Sequence, residues 1–130
     1  MTPSGLTGRS DEESIARVLI IEQSAAVREL IATIVAGLGH EPLPLDPETA
    51  TEVPSADLVL VEPELARARR LVARFLADSP GVPVVAVTSD PEGLASLTEL
   101  GPVLPLAKPF GLDDLRKAIT HALGDTGSLV

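Results

Sequence analysis

The 130-residue sequence contains no cysteine, and its only aromatic side chains are Phe75 and Phe110. Without cysteine there is no disulfide, no thiolate nucleophile and no zinc site of the cysteine type. The two histidines, His40 and His121, lie far apart and do not form the H-x-x-x-H spacing of a metal site. With so few aromatic rings, the sequence offers almost no surface for stacking bases or sugars, and its core must be aliphatic.

Basic residues are also scarce. The sequence has ten Lys and Arg against nineteen Asp and Glu, which gives a formal net charge of -9 at pH 7. A field of this sign repels phosphate backbones and anionic lipid, so we expect neither nucleic acid nor a membrane surface as a partner. No apolar run approaches the roughly 18 residues of a transmembrane helix, and the N-terminus lacks the pattern of a secretory signal. The sequence therefore predicts a soluble, cytoplasmic protein.

A chain of 130 residues, of which 45% are hydrophobic, is long enough to close one core and too short for two ordinary domains. Residues 1–16 include the acidic run from Asp11 to Glu13 and hold little to bury, which predicts a disordered lead. The domain is predicted to span residues 17–123. Residues 124–130 are predicted to form a flexible tail.

Five short runs predict strands. Four are almost wholly apolar, as is typical of strands buried on both faces of a parallel sheet. The fifth, from Glu41 to Asp46, alternates apolar residues with proline, which cannot donate to a sheet ladder, and is therefore predicted to lie at or near an edge. The four apolar runs are Val18 to Ile21, Leu58 to Val61, Val82 to Val87 and Val103 to Leu106.

Apolar residues at steps of three and four predict the helices. Ser24 is placed to cap the first helix, which is predicted to end at Gly37 and Gly39. Asp90 to Glu92 indicate the start of a short helix that runs to about Leu100. A short helix is also predicted from Pro47 to Ala56, although this segment contains Pro54 and has little apolar periodicity. Clear apolar periodicity marks Val27 to Leu38, Leu65 to Ala77 and Leu112 to Leu123.

This alternation of strands and helices predicts an α/β fold with a doubly wound, five-stranded parallel sheet and helices on both of its faces. In such sheets functional groups gather at the carboxyl ends of the strands. The residues at these positions are polar: Glu22, Gln23, Glu62, Thr88 and Lys108. We therefore expect them to lie together along one edge of the sheet.

These positions, with the motifs around them, resemble the receiver domains of bacterial two-component response regulators. The resemblance covers residues 17–123 and rests on V-L-I-I-E-Q-S, A-D-L-V-L-V-E, V-P-V-V-A-V-T-S and A-K-P-F. It implies a flavodoxin-like fold. In the family two acids after the first strand hold magnesium, and an aspartate after the third strand accepts a phosphoryl group. A hydroxyl after the fourth strand contacts that group, and a lysine before a cis-proline pairs with it. Glu22, Thr88 and Lys108 match this pattern.

The sequence departs from the family at three positions. Gln23 replaces the second acid, Glu62 replaces the acceptor aspartate, and Pro105 replaces an aromatic residue that family members often carry. A neutral amide weakens a magnesium site. The extra methylene of Glu62 displaces its carboxylate by about 1.5 Å, which disturbs in-line attack on a phosphodonor. The resemblance therefore implies a pseudo-receiver with no bound cofactor, with weak or no magnesium affinity and with no enzyme activity.

Several of these side chains have a second interpretation. Glu62 either approaches Lys108 and imitates the charge of a phosphoaspartate, or forms a partly buried ion pair with it that switches nothing. The hydroxyl of Thr88 equally well caps the following turn. Glu22 equally well serves only as an ion-pair partner of Lys108.

The remaining candidates are the arginines of the helix predicted from Leu65 to Ala77. Arg67, Arg70 and Arg74 share one stripe, where they either recognise an acidic partner or form an ordinary solvated face. The main hypothesis is a stand-alone pseudo-receiver that binds a histidine kinase, a regulator or a second copy of itself without phosphorylation. One alternative is a receiver that is still phosphorylated, or regulated by metal, through Glu62. Another is a flavodoxin-like protein that binds a small ligand, although the glycine-rich phosphate motifs and the nucleophile elbow are absent.

Overall fold

The computed structural model describes residues 15–90 and 103–128. Within these ranges the chain forms five strands and three helices. The predicted lead up to residue 14, and the helix predicted from Asp90 apart from its first residue, lie outside the described residues. The elements are β1 (Arg17–Ile21), α1 (Ala25–Gly37), β2 (Glu41–Leu45), β3 (Leu58–Val61), α2 (Ala66–Asp78), β4 (Val84–Thr88), β5 (Leu104–Ala107) and α3 (Leu112–Ser128).

The strands form one parallel sheet in the order β2-β1-β3-β4-β5. The chain moves outward from β1 to β2, then returns to the other side of β1 for β3 and continues in that direction. The prediction of a doubly wound five-stranded sheet is confirmed. The loops after β1 and β3 leave in opposite directions, and this opens a crevice at the carboxyl ends of the strands.

Both faces of the sheet are covered, since successive residues of each strand point to opposite sides. Val18 and Ile20 of β1 belong to the core that packs against α1 and α3. Leu19 and Ile21 of the same strand belong to the core that packs against α2. The central strands β1, β3 and β4 are therefore apolar except for Arg17 at the start of β1 and Thr88 at the end of β4, which is why their sequences show no alternation.

The edge strands carry the prolines. The backbone N–H of Glu41 donates to the carbonyl of Ala16 at 2.8 Å, so the odd-numbered residues of β2 bond towards β1. Pro42 and Pro44 alternate with these residues, and the N–H that each lacks would face away from the sheet. The predicted edge position of this strand is confirmed. Pro105 lies exposed on β5, the opposite edge strand.

Local hydrogen bonds fix the ends of α1. The hydroxyl of Ser24 accepts from the N–H of Val27 at 3.3 Å, as predicted for its cap. After the helix, Gly39 adopts a φ of +91°, a conformation that favours glycine. The next residue, His40, accepts a hydrogen bond from the N–H of Ala16 through Nδ1 at 3.0 Å. Burial lowers the pKa of His40, consistent with a neutral ring in this acceptor role.

Two predicted boundaries need correction. Residues 47–56 form a turn and an irregular segment instead of a helix, because Asp46 Oδ1 accepts from the N–H of Glu48 at 3.0 Å and holds a local turn. The last helix continues to Ser128, although a tail was predicted from Gly124. Gly124 does not take the positive φ with which glycine commonly ends a helix. Among the described residues, no helix is both long and apolar enough to cross a membrane.

Candidate functional site

Four of the predicted polar residues lie at the carboxyl edge of the sheet. Glu22 follows β1, Glu62 follows β3, Thr88 ends β4 and Lys108 follows β5. Backbone bonds hold them in register, since the N–H of Glu62 donates to the carbonyl of Ile21 at 2.9 Å and that of Lys108 to the carbonyl of Thr88 at 2.8 Å. Glu22, Glu62 and Thr88 are buried. We call these four residues the acidic edge.

Both carboxylate oxygens of Glu22 are engaged. Oε1 accepts from Lys108 Nζ at 3.1 Å, and Oε2 accepts from the backbone N–H of Ser24 at 2.9 Å. Arg28 donates to the carbonyl of Glu22 at 2.6 Å and holds the loop from outside. The Glu22 side chain is 3% exposed and that of Lys108 is 26% exposed, so the ion pair is largely shielded from water. The interpretation of Glu22 as the ion-pair partner of Lys108 is the one that the structure shows.

Glu62 makes a different and weaker set of contacts. Its Oε2 accepts from the backbone N–H of Glu64 at 3.1 Å, and its buried Oε1 has no hydrogen-bond partner in the described part of the chain. Burial raises the pKa of Glu62, and the negative charges of Glu64 and Glu22 act in the same direction. The N–H of Glu64 and the charge of Lys108 oppose this increase in the pKa.

The predicted ion pair between Glu62 and Lys108 is therefore wrong. The Lys108 amine bonds to Glu22, and the Glu62 carboxylate turns back towards its own loop. The proposed imitation of a phosphoaspartate depended on close approach of Glu62 to Lys108. That contact is not formed, since the Lys108 amine lies 3.1 Å from Oε1 of Glu22 instead.

The backbone after Lys108 has the geometry that the resemblance implies, whereas the Thr88 hydroxyl bonds within its own loop. The peptide bond between Lys108 and Pro109 is cis. The hydroxyl of Thr88, which is 3% exposed, accepts from the N–H of Asp90 at 3.0 Å. This bond is the cap of the following turn that was the second interpretation of Thr88.

A magnesium ion does not fit the side chains of the acidic edge as they stand. Gln23 is exposed, and both oxygens of Glu22 are already bonded. Within the acidic edge, Oε1 of Glu62 is the one carboxylate oxygen that has no partner among the described residues, whereas magnesium requires several hard oxygen ligands in an octahedron. Residues 15–90 and 103–128 contain no group of three His, Asp or Glu side chains arranged to hold a metal ion.

The arginines of α2 divide into two kinds. Arg67, Arg70 and Arg74 are exposed, as predicted for one stripe of the helix. Arg69 is only partly exposed and donates to the carbonyls of Pro63 and Glu64 at 2.7 and 3.0 Å. It therefore supports the loop that contains Glu62. The sequence contained a sign of this role, because the helical period places Arg69 on a different face from the other three arginines.

No protein-family model and no curated protein matches the sequence. Solved structures do match. NtrX from Brucella abortus superposes with a TM-score of 0.74 at 23% identity, over 87% of this chain and 28% of that chain. The receiver domain of PhyR from Erythrobacter litoralis superposes with a TM-score of 0.70 at 28% identity, over 87% of this chain and 93% of that domain. The chain has the fold of a response regulator receiver domain.

This receiver-like domain spans less than a third of the NtrX chain but almost the whole of smaller neighbours. Vibrio cholerae CheY4 is covered over 99% of its length, with a TM-score of 0.68 at 19% identity. The resemblance found in the sequence is confirmed at the level of the fold. The receiver-like domain retains the lysine, the cis-proline and the hydroxyl of the family pattern, and it departs from the pattern at Gln23 and Glu62.

Proposed function

We propose that this receiver-like domain is a signalling module that binds a protein partner without being phosphorylated. The observation that carries the proposal is the state of Glu62, the residue at the acceptor position. The residue is 5% exposed, and its carboxylate turns back to the N–H of Glu64. A nucleophile that is buried and misdirected in this way is poorly placed for in-line attack on a phosphodonor.

The electrostatics of the acidic edge support the same proposal. Phosphoryl transfer requires a cation beside the acceptor, and Lys108 is already held by Glu22 at 3.1 Å. The exposed amide of Gln23 supplies no negative charge for magnesium. We propose that magnesium binds weakly or not at all, and that the domain has no catalytic role.

The structural neighbours support a protein as the partner. PhyR from Bartonella quintana, which has a TM-score of 0.68 at 23% identity and is matched over 56% of its chain, is described as an anti-anti-sigma factor. That name denotes action on another protein. For this chain we propose a histidine kinase, another regulator or a second copy as the partner, in the cytoplasm.

Intact-mass spectrometry after incubation with acetyl phosphate and magnesium tests the proposal. We expect no phosphoryl adduct on the wild type or on Glu62→Ala. The paired substitution Gln23→Asp with Glu62→Asp restores the acids of the family pattern and serves as the positive control. A stoichiometric adduct on the wild type that is absent from Glu62→Ala would overturn the proposal.

One observation favours a second function, that of a receiver regulated by metal through Glu62. The unpartnered Oε1 of Glu62 is a buried oxygen that gains a bond if a cation enters. NMR titration with magnesium distinguishes the two functions. Saturable shifts of the Glu22 and Glu62 amides at low millimolar magnesium, lost in Glu62→Gln, would favour metal regulation, whereas unchanged spectra favour the first proposal.

A further inference from the structure

The exposed face of α2 carries three guanidinium groups in a row. Arg67, Arg70 and Arg74 stand at positions i, i+3 and i+7, which place side chains on one face of a helix. We call these three residues the arginine stripe. The opposite face of α2 is buried in the core through Ala68, Leu71, Val72 and Phe75.

The arginine stripe differs from the other basic residues that the structure describes. Arg67, Arg70 and Arg74 make no hydrogen bond or ion pair within residues 15–90 and 103–128. Every other lysine and arginine in those ranges has a partner. Arg17 pairs with Glu41, Arg28 with the carbonyl of Glu22, Arg69 with the carbonyl of Pro63, Lys108 with Glu22, and both Arg116 and Lys117 with Asp113.

This concentration of unpaired charge is unusual in a chain whose net charge is -9. Acidic residues outnumber basic ones almost twofold, yet α2 itself contains only one acid, Asp78, at its last position. The three guanidiniums extend over about 10.5 Å, because seven residues rise by about 1.5 Å each. A partner with carboxylates at a matching spacing would supply the missing charge.

A recess lies at the end of the arginine stripe. It has a volume of about 150 Å³, and its lining combines the apolar residues Val53, Pro54 and Phe75 with the polar residues Ser55, Arg74, Asp78 and Ser79. A water molecule occupies about 30 Å³ of the liquid, so the recess has room for an aliphatic side chain. The surface therefore combines a row of positive charge with an adjacent recess that has an apolar wall of Val53, Pro54 and Phe75.

We propose that the arginine stripe and this recess bind an acidic segment of a protein partner, with three carboxylates facing the guanidiniums and one aliphatic side chain in the recess. Guanidinium groups bind carboxylates through paired hydrogen bonds, so the contact is directional as well as electrostatic. A nucleic acid fits less well, because the rest of the molecule repels a polyanion. The inference rests on the proposed function and names the chemistry of the partner.

The test uses a labelled helical peptide of about 15 residues. It carries three glutamates at the spacing i, i+3 and i+7, with a leucine one turn beyond them, and a second peptide has glutamine in place of each glutamate. Fluorescence anisotropy measures the affinity of both peptides for three proteins. They are the wild type, a stripe variant (Arg70→Gln with Arg74→Gln) and a control variant (Arg116→Gln with Lys117→Gln), and each variant removes two exposed positive charges.

We expect the glutamate peptide to bind the wild type and the control variant within about twofold of each other, and the stripe variant at least ~10-fold more weakly, a factor that corresponds to about 1.4 kcal/mol. We expect the glutamine peptide to bind none of them measurably. Circular dichroism confirms that all three proteins are folded. Equal affinity for the stripe variant and the wild type, or no binding at about 1 mM peptide in low salt, would overturn the inference.

Two further measurements separate the possible failures. Sedimentation velocity on the wild type and the stripe variant reports self-association. A dimer that is lost in the stripe variant would assign this surface to a second copy and overturn the choice of partner. The phosphoryl adduct is measured independently, so a phosphorylated wild type that binds the glutamate peptide through the arginine stripe contradicts only the proposed function.

Discussion

At the scale of single residues, the buried position of Glu62 destabilises its ionised carboxylate. Its carboxylate is buried, one of its oxygens has no partner among residues 15–90 and 103–128, and its pKa is raised above the ordinary value of 4.5 mainly by burial. Below pH 4.5 the group is protonated in both the folded and the unfolded chain. As the pH rises from 4.5 to the higher pKa of the folded state, only the unfolded chain releases the proton, so the free energy of unfolding falls.

This sign gives a prediction for Glu62→Gln. The amide keeps an oxygen that accepts from the N–H of Glu64 but carries no charge, and a neutral buried group costs less than an ionised one. We expect the free energy of unfolding at pH 7.5 to rise by about 1 kcal/mol relative to the wild type. The gain should shrink as the pH falls and vanish near pH 4. Urea denaturation between pH 4 and pH 8 measures it.

The control is Glu64→Gln, which keeps the backbone N–H that bonds to Glu62 and removes an exposed negative charge. We expect a smaller change with the same sign, because the charge of Glu64 contributes less than burial to the raised pKa of Glu62. A loss of stability in Glu62→Gln at pH 7.5 would contradict the interpretation that burial destabilises the ionised carboxylate of Glu62. It would show that the ionised group is stabilised in the fold.

At the scale of the elements, hydrophobic patterns located the strands and the main helices well. The continuous apolar runs of β1, β3 and β4 follow directly from burial on both faces, and the alternating prolines of β2 follow from an edge position. The pattern was weak where no strong apolar face exists. The helix predicted for residues 47–56 was wrong for this reason. A hydrogen bond to the Asp46 side chain holds a turn there instead.

The candidate site was predictable to the same degree. Strand ends must lie at one edge of a parallel sheet, so the positions of Glu22, Glu62, Thr88 and Lys108 follow from the topology. The topology does not determine which carboxylate forms the ion pair with Lys108, because that choice depends on differences of about an ångström in the loops. The structure gives Lys108 to Glu22 and leaves Glu62 with the N–H of Glu64.

The end of α1 offers a prediction about one element. Gly39 has a φ of +91°, and a Cβ at this position would meet no atom of the described residues within 4 Å. The cost of Gly39→Ala therefore comes from the backbone alone, and we expect a loss of about 1 kcal/mol in the free energy of unfolding. Gly37→Ala is the matched control, since a Cβ there also meets no atom and the residue is helical. It should raise stability by about 0.5 kcal/mol, because alanine favours a helix.

Thermal and urea denaturation of the two alanine variants measure these changes in the free energy of unfolding. The opposite signs are the informative result, since both substitutions add the same methyl group to nearly the same place in the sequence. Equal effects of the two substitutions would show that the conformation of Gly39 does not limit the choice of residue there.

At the scale of the whole molecule, the pair of Glu22 and Lys108 connects distant parts of the sheet. The two residues are 86 positions apart, and β3 and β4 lie between the strands that they follow. The ion pair therefore ties the β5 edge to the centre of the sheet at its carboxyl end. Because Glu22 is almost fully buried, removing its partner leaves a carboxylate that water cannot reach, which is not the case for an exposed carboxylate.

This dependence predicts the result of a double-mutant cycle. We expect Lys108→Met alone to lower the free energy of unfolding by about 2 kcal/mol, because it leaves a buried carboxylate without its cation. Adding Glu22→Gln should recover part of that loss and give a coupling energy of about 1–2 kcal/mol. The exposed pair of Arg17 and Glu41, 3.5 Å apart, provides the comparison and should couple by less than about 0.5 kcal/mol. If the two cycles give equal coupling energies, burial does not strengthen the pair, and the tie across the sheet contributes no more to stability than a surface ion pair does.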